Sequence, residues 1–238
     1  MNTRDSVRDY FDRVADHFAA NYRKEDAFEE RRRIWHCMIE ENLSRLKDGG
    51  LCFDMGCGDG SLSRPVVALG YQTIGIDQSE NMLALARRQC EGNGPVPSYI
   101  QASLPLPQDL LEKYRDTAGL ILCSSLLEYL DDYERALMQF HGILRKGGRL
   151  ILSVPNKDAL YRMGERVLRF VLTSRNSYLK YQRHQFRPAS LRSTMGRLGY
   201  TLVHEQYFAL PIQRYSSKLF GNFRGRRLAT LYLLVVEK

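Results

Sequence analysis

The sequence predicts an α/β domain built on a mostly parallel, doubly wound sheet, and three observations carry that prediction. Short apolar runs alternate with amphipathic stretches of helical period from Leu51 to Val154. Three glycines, Gly56, Gly58 and Gly60, follow the first of those runs, where a strand would turn into a helix. The 238 residues, 44% hydrophobic and 26% charged, suffice for one domain with a sizeable core and exclude a disordered chain.

The elements follow in order. Val7, Tyr10, Phe11, Val14, Phe18 and Tyr22 recur at helical spacing, so an amphipathic helix opens the chain, and a second runs from Phe28 to Leu46 before Gly49 and Gly50. Leu51–Met55 then reads as a buried strand and Leu62–Leu69 as the next helix. Further strands are expected at Thr73–Ile76, Ser98–Gln101, Leu120–Cys123 and Arg149–Val154, separated by helices at Ser79–Cys90, near Leu110–Tyr114 and at Tyr133–Leu144. After Pro155 the rhythm breaks: an Arg-rich helix over Asp158–Thr173, a basic and aromatic stretch, a helix over Leu191–Leu198, and final strands Thr201–Phe208 and Leu228–Val236. No internal repeat interrupts this order.

Composition narrows the function classes. The amino terminus lacks the apolar core of a signal peptide, and no window reaches the ~18 apolar residues of a membrane span, which predicts a cytoplasmic, unanchored protein. Five scattered cysteines, Cys37, Cys52, Cys57, Cys90 and Cys123, form no C-x-x-C pair, so no zinc or redox centre is expected. The net charge of +8 is unevenly placed. Residues 1–139 hold 16 Lys and Arg against 23 Asp and Glu; residues 140–227 hold 18 against 3. A basic region of this kind suits an acidic partner or a solvated basic surface equally well.

The glycine loop is the most informative motif. Without a Cβ at Gly56, Gly58 and Gly60, the backbone can approach a ligand closely. Asp77 ends the second strand 21 residues after Gly56, where its carboxylate can accept hydrogen bonds from both hydroxyls of a ribose. The third glycine comes one residue earlier than in the dinucleotide pattern, and Asp59 sits inside the loop. A carboxylate there opposes a pyrophosphate and tolerates a cationic ligand.

These residues resemble the first two motifs of class I methyltransferases: Asp54-Met55-Gly56-Cys57-Gly58-Asp59-Gly60, then Gly75-Ile76-Asp77-Gln78-Ser79-Glu80-Asn81-Met82. Leu120 to Tyr129 is similar to the family's fourth-strand motif, Leu144 to Leu150 to the turn before its fifth strand, and Phe186 to Tyr200 to the late helix of the small-molecule branch. The resemblance implies a Rossmann-like, seven-stranded sheet with an antiparallel final strand, an amino-terminal helical cap over 1–48, a cofactor-binding core over 49–157, a lid insertion over 158–190 and a closing unit over 191–238. It implies S-adenosylmethionine as cofactor and S-adenosylhomocysteine as product. Gly56 and Cys123 would face the methionine end, Asp77 the ribose, Gln78 and Met82 the adenine edge, and Ala102 and Ser103 its ring, with Asp54, Cys57 and Gly58 also among the cofactor-binding residues. Tyr22 and one of Arg31, Arg32 or Arg33, with Arg33 taken forward, would hold the methionine carboxylate.

Catalysis is less constrained, because methyl transfer needs in-line approach and, for an oxygen acceptor, a base. His184, before the late helix, is the first candidate base, and Glu128 and Tyr129, after the fourth strand, are the others. Quinone-biosynthesis O-methyltransferases, which this chain resembles, carry two acids and a histidine near that point; here those positions hold Ser125, Glu128 and Tyr129, so no metal is expected. The Asp158–Arg187 insertion suits a lid over an apolar, acidic small molecule, or a helix on an anionic membrane surface. The expected reaction is O-methylation of a small molecule, with N-methylation, then RNA or protein, as alternatives. Nucleic acid ranks lower because Cys123-Ser124-Ser125-Leu126 is unlike the segment that clamps a flipped base. An NAD-dependent oxidoreductase and a cofactor-binding protein without catalysis are the readings of another class.

Overall fold

A computed structural model describes residues 7–15, 26–46, 50–90, 94–160, 178–209 and 227–238. Tyr22, most of the expected Asp158–Thr173 helix, and Arg224 to Arg226 lie outside the described residues. Helix α1 covers residues 7–15 and α2 Asp26–Leu43. The alternating core follows as β1 (Leu51–Met55), α3 (Ser63–Ala68), β2 (Thr73–Asp77), α4 (Glu80–Arg88), β3 (Ser98–Gln101), α5 (Gln108–Lys113), β4 (Ala118–Ser124), α6 (Tyr133–Ile143) and β5 (Leu144–Pro155). Helix α7 (Pro188–Arg197) and strands β6 (Thr201–Phe208) and β7 (Leu231–Glu237) complete it.

The seven strands lie in the order β3-β2-β1-β4-β5-β7-β6. β1 pairs in parallel with β2 and β4, whereas β7 runs antiparallel to both β5 and β6, as the family resemblance implied. Both faces of the sheet are covered, so neighbouring strand residues alternate between two apolar layers. Phe53, Ile121 and Leu152 pack on one side with Phe140 of α6 and Met195 of α7. Cys52, Leu122 and Ile151 pack on the other with Trp35 and Ile39 of α2 and Val66 of α3.

Local signals explain the helix starts. Ser79 caps α4, its Oγ accepting from the Met82 amide at 3.1 Å, and Asp132 caps α6, accepting from the Arg135 amide at 2.9 Å. Pro188 opens α7, where a missing N–H costs nothing. Strand β5 begins five residues before the expected Arg149. Leu144 pairs with Ala118 and Arg149 with Leu120, so residues 145–148 bulge out between two points of one ladder. No helix among the described residues is long and apolar enough to cross a membrane.

The strand order reverses between β1 and β4, which leaves a crevice beyond their carboxyl ends.

Candidate functional site

That crevice holds a cavity of about 470 Å³, within the range that encloses a small molecule. One end is made by the loop after β1. Gly56 sits at φ +71° and Gly58 at φ +53°, backbone that L side chains adopt only with strain, and a Cβ on Gly56 would come 2.8 Å from Leu126. The loop is pinned by the Gly56 amide on the Ile76 carbonyl at 2.7 Å and by the Gly58 amide on Asp77 Oδ2 at 3.0 Å. Asp77 Oδ1 accepts from the Ser79 amide at 2.9 Å, so one carboxylate ties the glycine loop to the start of α4.

Three carboxylates, Asp54, Asp59 and Asp77, line this end together. Burial pushes Asp54 up to about 7 against the hydrogen bond from Ser63 Oγ at 2.6 Å, with Asp77 and Asp59 pushing the same way. Burial also raises Asp77, against the pull of its amide donors. Buried acids that repel one another suit a ligand that brings positive charge. Gln78, Met82, Ala102 and Ser103 line the cavity beside them. Gln101 donates to the Gln78 carbonyl at 3.2 Å.

A helical cap covers this end. Val7, Tyr10 and Phe11 of α1 line the cavity, and Asp12 accepts from Ser79 Oγ and, through its carbonyl, from Asn81 Nδ2 at 3.0 Å. On the far side Tyr10 stacks on Tyr181 with ring centres 4.8 Å apart, and Phe11 meets Tyr129 edge-on at 5.5 Å. Helix α1 therefore bridges α4 and the 178–183 segment across the mouth.

The arginine that reaches the cavity is Arg31; Arg33 is exposed and does not line it. The helical period decides this, since residues two apart lie about 200° apart around a helix and cannot share a face. Arg31 Nη2 donates to Ser124 Oγ at 2.6 Å and Ser125 Oγ at 3.1 Å, while its buried Nε has no hydrogen-bond partner. Ser125 itself is held at φ +51°, its amide on the Ser153 carbonyl at 2.9 Å. A non-glycine residue kept left-handed at the edge of a ligand cavity is strain concentrated at a working site.

At the other end, Glu128, 1% exposed, and Tyr129 line the cavity with Asp131, Gln182 and Arg183. The Arg183 and His184 amides both donate to the Glu128 carbonyl, at 2.8 and 3.2 Å, and the Arg183 guanidinium pairs with Asp131. This clamps the 182–184 segment onto the turn that carries Glu128.

Besides Arg33, two further expected site residues do not reach the cavity. The His184 ring turns outward, edge-on to Tyr133 at 5.0 Å with Nε2 3.4 Å from the Asp131 carbonyl. The neighbouring Gln182 and Arg183 line the cavity in its place. Cys123 is fully buried in the sheet, and its neighbours Ser124 and Ser125 line the cavity instead. Ser124, Ser125, Gln182 and Arg183 were not singled out from sequence as ligand contacts; their only signal was position, after the fourth strand and beside His184. Among the described residues no group of three or more His, Cys, Asp or Glu is placed to hold a metal ion.

Comparison with known proteins gives a consistent picture. A family model described as a methyltransferase domain matches residues 27–205. The ubiquinone biosynthesis O-methyltransferase of Pseudomonas paraeruginosa is 28% identical over 110 residues, 46% of each chain, and that of Aromatoleum aromaticum is 26% identical over 140 residues, 57% of this chain and 58% of the relative. The chain thus spans about half the length of the curated relatives it matches. A magnesium protoporphyrin IX methyltransferase from Synechocystis PCC 6803, solved with bound SAH, superposes with a TM-score of 0.72 at 18% identity over 99% of both chains. The match across most of the chain, on a sheet of this order, makes the protein a member of the methyltransferase-domain family with the class I, S-adenosylmethionine-dependent architecture.

Proposed function

We propose that this chain transfers a methyl group from S-adenosylmethionine to a small-molecule acceptor, an oxygen nucleophile being favoured over nitrogen. The observation that supports this most is the cluster of three acids, Asp54 and Asp59 buried and Asp77 partly so, around a left-handed glycine loop, open at its far end onto Glu128 and Tyr129. Dinucleotide pyrophosphate would meet repulsion there; a sulfonium and an ammonium would offset it.

When bound, S-adenosylmethionine supplies an electrophilic methyl group on a positively charged sulfur. The Asp77 carboxylate has lone pairs left beyond its two amide donors and takes the ribose hydroxyls. Asp54 and Asp59 set a negative potential at the methionine end, and Arg31 presents its unpartnered Nε to the carboxylate. Gln78, Met82, Ala102 and Ser103 border the adenine. Helix α1 with Tyr10 and Phe11 excludes water from the transfer line. Glu128, anchored through its backbone to the 182–184 segment, would accept the proton of a hydroxyl acceptor as its oxygen takes the methyl group and the sulfur–carbon bond breaks to leave S-adenosylhomocysteine; His184, facing outward, would not.

Calorimetric titration of the purified chain with S-adenosylmethionine and, separately, NADH tests the cofactor. Binding of the first alone is expected, and NADH binding without S-adenosylmethionine binding overturns the reading. A coupled assay for S-adenosylhomocysteine release over phenols, carboxylates and amines then identifies the acceptor.

A further inference from the structure

The basic charge of residues 140–227 is only partly used inside the fold. Arg192 holds Glu205 at 2.8 Å, Arg197 holds Glu134 at 3.1 Å, Arg183 pairs with Asp131, and Arg187 stands 3.8 Å from Asp158. Arg145 and Lys146 have no acidic partner among the described residues. Both project from the β5 bulge, at the amino ends of the parallel strands and thus at the edge of the sheet opposite the methyl-transfer cavity.

The bulge borders a second cavity, of about 390 Å³. Four cations line it, Arg45, Arg145, Lys146 and Arg149, against the single carboxylate of Glu237. That carboxylate is already committed to Arg149 Nε at 2.9 Å, and Asn42 Oδ1 accepts from Arg149 Nη1 at 3.0 Å, so this guanidinium is fixed in place with a side-chain exposure of 14%. Arg145 reaches the hollow past Gly50 and Gly119, where an added Cβ would stand 3.7 and 3.6 Å from its guanidinium. One anchored guanidinium and a second without an acidic partner thus face one polar hollow, with Lys146 and Arg45 at its rim. Planar forks of this kind match tetrahedral oxyanions, and for Arg149 little side-chain entropy remains to be lost on binding.

We propose that this hollow is a binding site for a phosphate-type oxyanion, separate from the methyl-transfer cavity and independent of it. Free phosphorylated metabolites and phospholipid headgroups share that chemistry, and the test separates the two sources.

The full chain, saturated with S-adenosylhomocysteine to block the first cavity, is titrated with inorganic pyrophosphate by calorimetry at low salt. Saturable 1:1 binding that weakens with added salt is expected. In an Arg145→Gln, Lys146→Gln double variant, which removes only partly or fully exposed charge, affinity is expected to fall at least about tenfold with an unchanged thermal midpoint. No saturable binding at millimolar pyrophosphate, or equal binding by the double variant, overturns the proposal. Arg192→Gln, in a paired arginine away from the hollow, should leave pyrophosphate affinity unchanged; a loss equal to the double variant's would reduce the site to diffuse charge and overturn it as well. Cosedimentation with phosphatidylglycerol vesicles names the source: capture lost in the double variant assigns a headgroup, and absent or unchanged capture assigns a soluble anion. Failure of S-adenosylhomocysteine binding would touch the methyl-transfer reading alone, since dependence on Arg145 and Lys146 is read independently.

Discussion

The two ends of the cavity proposed for methyl transfer are built by different means. The donor end is backbone: glycines at positive φ, amides on Asp77, and acids at the tips of β1 and β2. The acceptor end is side chain, with Glu128, Tyr129, Gln182 and Arg183 brought together by a turn after β4 and a segment some fifty residues later. Backbone geometry is shared by any chain that binds the same cofactor, whereas side chains set what the acceptor must be. Substitutions should therefore separate into those that abolish cofactor binding and those that leave it intact and stop transfer.

The largest effect is expected at Glu128. Glu128→Gln should lower kcat for an oxygen acceptor by about 10²–10⁴ while the S-adenosylmethionine Kd stays within twofold; an unchanged kcat would remove the base from the acceptor end. Asp77→Ala should raise that Kd roughly a hundredfold, because a charged acceptor and its ties to two amides are lost together. Arg31→Met should weaken cofactor binding about tenfold, and Arg33→Met should not, a contrast that fluorescence titration can read. Equal effects at the two arginines would break the assignment made from the α2 period.

Asp54 sharpens the comparison through pH. Its folded pKa, pushed up to about 7, lies above the ordinary carboxylate value of 3.8, so the folded state keeps a proton that the unfolded state gives up. Stability from this group is present below about 4 and is lost as pH rises towards 7. Asp54→Asn should raise the thermal midpoint of the ligand-free protein at pH 8 relative to wild type and change it little at pH 4. A difference that is flat with pH would show that burial of the charge is not what the site stores. The smallest effect is expected from His184→Gln, less than twofold in kcat.

Legibility followed the same division. Strands Ser98–Gln101 and Thr201–Phe208 match their expected limits, and Gly56, Gly58, Asp77 and Met82 line the cavity where motif spacing puts them. Backbone motifs are local, and local order is what spacing reports. The sequence pointed to His184 and Arg33, one residue from Arg183 and two from Arg31, because facing depends on how an element sits against the sheet. Cys123 failed for the same reason: in a strand a shift of one residue exchanges the faces. The start of β5 was hidden by Gly147 and Gly148, which read as a turn yet belong to a bulge inside the ladder.

The strand order also has a history in time. β6 touches the sheet only through β7, which is made later. At ribosomal speeds of about 5–20 residues per second, residues 201–208 emerge seconds before the strand that will join them to the rest. During that interval Leu202 and Val203, still 47% and 40% exposed in the finished protein, belong to a strand with neither edge paired. A released chain truncated just before Leu231 should thus expose this strand to chaperones more than the full-length protein does.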